Sequence, residues 1–167
     1  MQDCGLVRTY YQAEDFNNCL EEEYFQINGK KNGLYTQYDT KGTKIKTIEY
    51  VDGKKHGDYI SYYNFCNNIF YKCHFNNDIK VGVAVFYHEN GQIDNIGYFE
   101  NNKYSGMRYW YYITPSLEHC NGLYDSYGTL KKSCNYIDGL IQGEFINYNK
   151  DGTIKFVWNY VDDEIIS

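Results

Sequence analysis

The stretch GLYTQYDTKGTKIKTIEYVDGKKHG, residues 33–57, recurs in outline as GVAVFYHENGQIDNIGYFENNKYSG at 82–106 and GEFINYNKDGTIKFVWNYVDDEIIS at 143–167. Counted from the opening glycine, an aromatic stands at +5 (Tyr38, Tyr87, Tyr148), a glycine at +9 (Gly42, Gly91, Gly152) and an aromatic at +17 (Tyr50, Phe99, Tyr160). The unit opening at Gly57 keeps Tyr62 at +5 and has Phe75 one place late. From Gly106 the first strand is intact, and an insertion around residues 113–122 delays the return to Gly143. A divergent first unit opens at Gly5, with Tyr10 at +5. Self-similarity at a fixed period sets the architecture in one step. Six units, 5–32, 33–56, 57–81, 82–105, 106–142 and 143–167, tile the chain as one repeat domain, residues 1–167.

Each unit reads as a β-hairpin, because Asn-Gly and Asp-Gly supply the positive φ that tight turns demand. The expected fold is therefore all-β, an elongated single-layer antiparallel meander of about six hairpin repeats, in which each unit touches only its neighbours. Its weakest stretches are 11–25, where Phe16, Cys19 and Leu20 also fit a short helical turn, and the segment near Pro115. Alternation sorts side chains by face. Positions +1, +3 and +5 (Leu34/Thr36/Tyr38, Val83/Val85/Tyr87, Met107/Tyr109/Tyr111) form the expected core face. The returning strands add Ile48, Tyr50, Ile154, Phe156, Trp158 and Tyr160 to it, with Ile45 a weaker member. The other face carries Tyr35, Tyr59, Tyr63, Phe86, Trp110, Tyr112 and Phe145.

Composition agrees. The 167 residues include 21 Tyr, 9 Phe and 2 Trp but one proline and two alanines, so strand formers dominate and the best helix former is nearly missing. A net charge of −6 argues against nucleic acid as a partner, since that affinity comes from neutralising phosphates. No apolar run reaches the roughly 18 residues of a spanning helix and no basic-then-apolar leader opens the chain, so a soluble, intracellular protein is expected. Six cysteines form no Cys-x-x-Cys pair and are expected as reduced thiols, with Cys66 and Cys73 the only disulfide suspects.

The frame of glycine, aromatics, an Asn-Gly or Asp-Gly turn, an aromatic, then Asn/Asp-Gly-Lys-Lys-x-Gly resembles the variant MORN repeat. Residues Tyr50-Val51-Asp52-Gly53-Lys54-Lys55-His56-Gly57 and Ile27-Asn28-Gly29-Lys30-Lys31-Asn32-Gly33 carry it most closely, and it covers roughly residues 5–163. The resemblance implies a single-layer hairpin sheet used for protein association, as in bacterial proteins labelled antitoxins, in cytoskeletal scaffolds and in large DNA viruses of amoebae. It also implies possible phospholipid contact. The expected function is a non-catalytic scaffold for protein association or self-assembly, a virion structural component if the chain is viral. The alternatives are an antitoxin-like inhibitor of a partner protein and a lipid-surface adaptor.

No motif for catalysis, cofactor or metal emerges. The histidines His56, His74, His88 and His119 lack ligand spacing, and adjacent strand residues such as Cys73-His74 point to opposite faces. Lysine pairs at the junctions (Lys30-Lys31, Lys54-Lys55) are expected to line one rim, where they could meet an anionic membrane. Large exposed aromatic patches mark association surfaces and hot spots favour Trp, Tyr and Arg. The expected partner-binding residues are thus Tyr35, Tyr59, Phe86, Arg108, Trp110, Tyr112 and Phe145, densest around Trp110 beside the inserted segment.

Overall fold

The computed structural model describes residues 3–12, 18–114 and 128–167. Among these there is no helix, and the chain divides into two compact units, Met1–Lys80 and Val81–Ser167. The first unit holds β1 (Cys4–Tyr10), β2 (Leu20–Ile27), β3 (Lys30–Tyr38), β4 (Lys44–Val51), β5 (Lys54–Tyr62) and β6 (Ile69–Asn76). The second holds most of β7 (Ile79–Tyr87), then β8 (Ile93–Glu100), β9 (Lys103–Tyr104), β10 (Gly106–Tyr111), β11 (Leu130–Ile137), β12 (Leu140–Tyr148), β13 (Ile154–Val161) and β14 (Glu164–Ile165). In each unit the strands pair antiparallel in chain order within one sheet layer, the all-β meander of hairpins that the repeat predicts. The expected break near Pro115, and the suspected helical turn as far as it concerns 13–17, lie outside the described residues.

Two kinds of turn alternate. Tight turns close the sequence repeats: Asn28-Gly29, Asp52-Gly53, Asn77-Asp78, Asn101-Asn102, Asp138-Gly139 and Asp162-Asp163, with positive φ at both residues of every pair. That is the backbone of a two-residue hairpin turn, held even where Asp or Asn replaces glycine. The junctions are tied to one another, since Gly53 N donates to Lys31 O, Asp78 N to Lys55 O and Gly139 N to Tyr104 O. Wider turns close the other end of each hairpin. Asp39 N donates to Thr43 O, His88 N to Gln92 O and Asn149 N to Thr153 O. Tyr11 N to Cys19 O and Tyr112 N to Thr129 O close the two hairpins whose tips fall outside the described residues.

The register corrects the division of faces. All six hairpins carry the same one-residue bulge in the returning strand, at Glu21, Ile45, Phe70, Asp94, Lys131 and Lys155. One extra residue flips everything beyond it to the opposite face. Tyr35 is therefore paired with Ile48, Arg108 with Cys134 and Phe145 with Trp158, although simple alternation placed such partners on opposite sides. The face holding +2, +4, +15 and +17 is the more buried one. Tyr35 and Ile48 are each 4% exposed, and Cys73, Ala84, Asn95, Phe99 and Cys134 are buried with them. On the face expected to be core, Leu34 is 57% and Val83 54% exposed, Met107 is exposed too, and apart from Ile93, which pairs with Tyr87, the buried members are small: Thr36, Thr47 and Ser133. The +5 tyrosines are half-buried, except Tyr10, which is exposed.

Candidate functional site

The buried face is a ladder of rings, and in the first unit lysines close over it. Lys31, two places before the opening glycine Gly33, lays its Nζ 4.0 Å from the Tyr35 ring centre, 4.5 Å from Tyr24 and 5.7 Å from Tyr50. The Tyr35 hydroxyl donates to Glu22 Oε1 at 2.6 Å, and Glu22 Oε2 lies 3.9 Å from Lys31 Nζ. Burial, and then the Glu22 carboxylate, push the Tyr35 phenol well above its ordinary range, so it stays a neutral donor. The equivalent Lys55 covers Phe75 at 5.1 Å, and Lys80 covers Tyr71 at 5.3 Å and Phe75 at 5.9 Å. Lys31 and Lys55, expected to line a cationic rim, are thus folded over aromatic rings, an attraction to the negative ring face that holds the cation against the sheet.

In the second unit the same position holds Tyr104, whose ring centre lies 4.1 Å from that of Phe99 and 5.3 Å from that of Tyr136, tilted against both. The cation comes from Arg108 instead. Its guanidinium carbon sits 4.2 Å from the Tyr104 ring and 4.5 Å from the Trp110 ring, while Nε and Nη2 both donate to Asn95 Oδ1. Lys132 lies over Trp110 at 5.2 Å. Burial pushes the Tyr136 phenol up to about 12 and raises the Cys134 thiol, which is fully buried and stays protonated. Cys73 is raised for the same reason, and Cys66 and Cys73 are free thiols, not the suspected disulfide.

Of the seven expected contact residues, Tyr35 is core and cannot meet a partner directly. Tyr59 is half-buried against Tyr71 and Phe75, with ring centres 6.0 and 6.1 Å away. Phe86, paired with Asn95, is half-buried. Tyr112 is tied into the sheet, its hydroxyl donating to Tyr148 O at 2.9 Å with Lys131 and Lys150 at 5.5 and 5.9 Å from its ring. Arg108 and Trp110 are brought together, as their spacing suggested. Phe145 joins a group that alternation had placed in the core: Trp158 stacks on it at 6.4 Å, Phe156 lies 4.5 Å from Trp158, and Tyr160 lies 5.8 Å from Phe145. Trp158 is 41% exposed. The sign that places these rings together was the odd spacing from Ile45 to Ile48 in the repeat 33–56, which only a bulge reconciles with one face.

Among the described residues no three His, Cys, Asp or Glu side chains form a group able to hold a metal ion, and no helix is long and apolar enough to cross a membrane. His74 contacts Asp58 at 3.3 Å, and Asp58 is held below the usual carboxylate range by its hydrogen bond to Lys72. His119 and Cys120 lie outside the described residues. The chain matches no family model and no curated protein.

Proposed function

We propose that the protein is a non-catalytic, MORN-like repeat scaffold that holds a partner protein against the ring-bearing face of its hairpin sheet. The observation that carries the reading is the half-exposed row in the second unit, with Arg108, Trp110, Phe145 and Trp158 set on rigid paired strands in a sheet one layer thick. Rings of this size, with arginine among them, are the residues on which association energy concentrates. A repeated rigid surface is what a scaffold needs, and the buried, protonated thiols of Cys73 and Cys134 offer no nucleophile.

The test is cross-linked affinity capture from the source cells with the full chain and with Trp110→Ala. The substitution should weaken capture of a specific partner by at least about 1–2 kcal/mol while circular dichroism and the melting curve stay close to the parent. Capture unaffected by Trp110→Ala and by Trp158→Ala together would remove the face from consideration. So would a Trp110→Ala chain that cannot fold, because Trp110 would then be core.

A further inference from the structure

We propose that the ring cluster of β12 and β13, Phe145, Phe156, Trp158 and Tyr160, docks an extended lysine- or arginine-bearing segment of the partner protein. The inference rests on the scaffold reading and names the chemical class of what is held. The chain itself supplies the precedent. Lys31, Lys55 and Lys80 each stand two places before an opening glycine and each lie over rings of the ladder, and Arg108 and Lys132 do the same for Trp110. Before Gly143 the corresponding residue is Ile141, and the residue paired with Tyr160 at the terminal junction is Ile165. Among the described residues no cation lies over Phe145, Phe156, Trp158 or Tyr160. Asn159 alternates with the ring positions and faces the other way, and Lys155, the bulge residue of this hairpin, is not among the cations lying over these rings.

Charge favours the same occupant. Residues 81–167 contain six basic and eleven acidic side chains. Asp162, Asp163 and Glu164 directly follow the ladder strand β13. Asp162 accepts from the Gln142 amide and Asp163 from Ile141 N at 2.6 Å, both neutral donors, so those hydrogen bonds leave the negative charges uncompensated. A cationic side chain over the rings gains the ring quadrupole and the field of these carboxylates together. An extended segment presents every second side chain to one surface, which matches rings spaced along a strand.

The experiment uses the full chain labelled with nitrogen-15. Trp110 and Trp158 are its two tryptophans, so the two indole N–H signals report the two ends of the face separately. The probes are a synthetic octapeptide alternating lysine and threonine, its glutamate-threonine counterpart, and phosphatidylcholine vesicles. The basic peptide should shift the Trp158 signal and leave Trp110 in place. Binding should weaken about tenfold in Trp158→Leu, and measurably in Asp162→Asn/Asp163→Asn/Glu164→Gln. Should Trp158→Leu fold poorly, Ile141→Lys keeps the rings and supplies a cation from within, and it should displace the peptide.

No shift with the basic peptide overturns the inference, as does equal binding of the acidic peptide or the vesicles, or a shift confined to Trp110. If the basic peptide fails while a native partner is still captured through Trp110, this inference falls and the scaffold reading stands. Peptide binding at Trp158 with no native partner captured has the opposite meaning.

Discussion

The two units build the same ring ladder and finish it differently. In the first, lysines at the junctions fold back over the rings, and Tyr35 beneath Lys31 is 4% exposed. In the second, Tyr104 and Ile141 occupy the equivalent positions, Arg108 closes one end from within the strand, and Trp158 at the other end is 41% exposed. The same backbone frame thus carries lysines over its rings in one unit and leaves the rings of β12 and β13 without a cation in the other. Stability should concentrate where the ladder is covered, and the bare end is the surface on which the proposed partner binding would fall.

The largest effect should come from Tyr35→Ala. It removes a buried ring and the hydroxyl bonded to Glu22, and is expected to cost about 3–5 kcal/mol in urea unfolding. Trp158→Ala should cost less, about 1–3 kcal/mol, because part of the side chain, 41% exposed, is already in water. Equal losses at the two sites would erase the contrast between covered and bare ladders.

Next in size is a glycine comparison. Gly57 has φ +108°, and a β-carbon there would clash with Glu49 Oε2 and lie 2.9 Å from Glu49 Cβ, while Gly143, φ +78°, has open space around it. Gly57→Ala must strain the backbone and displace Glu49, whose carboxylate accepts from Asp58 N. It should cost about 1–3 kcal/mol, measurably more than Gly143→Ala, which carries the backbone strain alone. A larger loss at Gly143 would mean the opening glycines serve something other than the junction geometry.

A smaller pair moves the cation itself. Lys31→Met should lose about 0.5–2 kcal/mol, and Ile141→Lys should gain up to about 1 kcal/mol by covering the bare rings from within. If Lys31→Met is neutral in thermal and urea melts, the lysines are bystanders and the precedent drawn from them fails.

These contrasts also mark what sequence alone could reveal. Glycine and aromatic spacing, with Asn-Gly and Asp-Gly at the junctions, made the hairpins readable, because turn chemistry and alternation are local. Even Asn77-Asp78 and Asp162-Asp163, which lack the second glycine, keep the turn, since the frame on both sides imposes it. The choice of buried face was not readable from alternation, which gives parity and not depth. The bulge at Ile45 and its counterparts broke that parity inside every unit. A usable signal was present at +1, where Asp58 and Glu144 stand among Leu34, Val83 and Met107: a face carrying two carboxylates is poorly suited to be the core. The covering role of Lys31 was hidden for a different reason. The sequence places it on a strand two residues from a glycine, and only folding brings it over three rings contributed by three strands.

The smallest expected effect compares single turns. The wide turns of β3/β4 and β12/β13 are each held by a carboxylate. Asp39 Oδ1 accepts from Thr43 N at 2.8 Å and Lys41 N at 2.9 Å, and Asp151 Oδ1 accepts from Thr153 N at 2.9 Å and its hydroxyl at 2.6 Å. In the β7/β8 turn the neutral Asn90 does the same work, accepting from Gln92 N at 3.1 Å. The Thr43 amide lowers the Asp39 carboxyl below its usual range, and the Thr153 hydroxyl does so for Asp151. A depressed carboxyl stabilises the fold above its ordinary titration range, and that contribution is lost as the pH falls through the lowered value. Acidification should therefore reduce the hydrogen-exchange protection of the Thr43 and Thr153 amides while that of Gln92 holds. Asp39→Asn should make the β3/β4 turn as indifferent to acid as the β7/β8 turn. Simultaneous loss at all three amides would show that the turns open only with the whole sheet, and the carboxylates would then have no separate part in holding them.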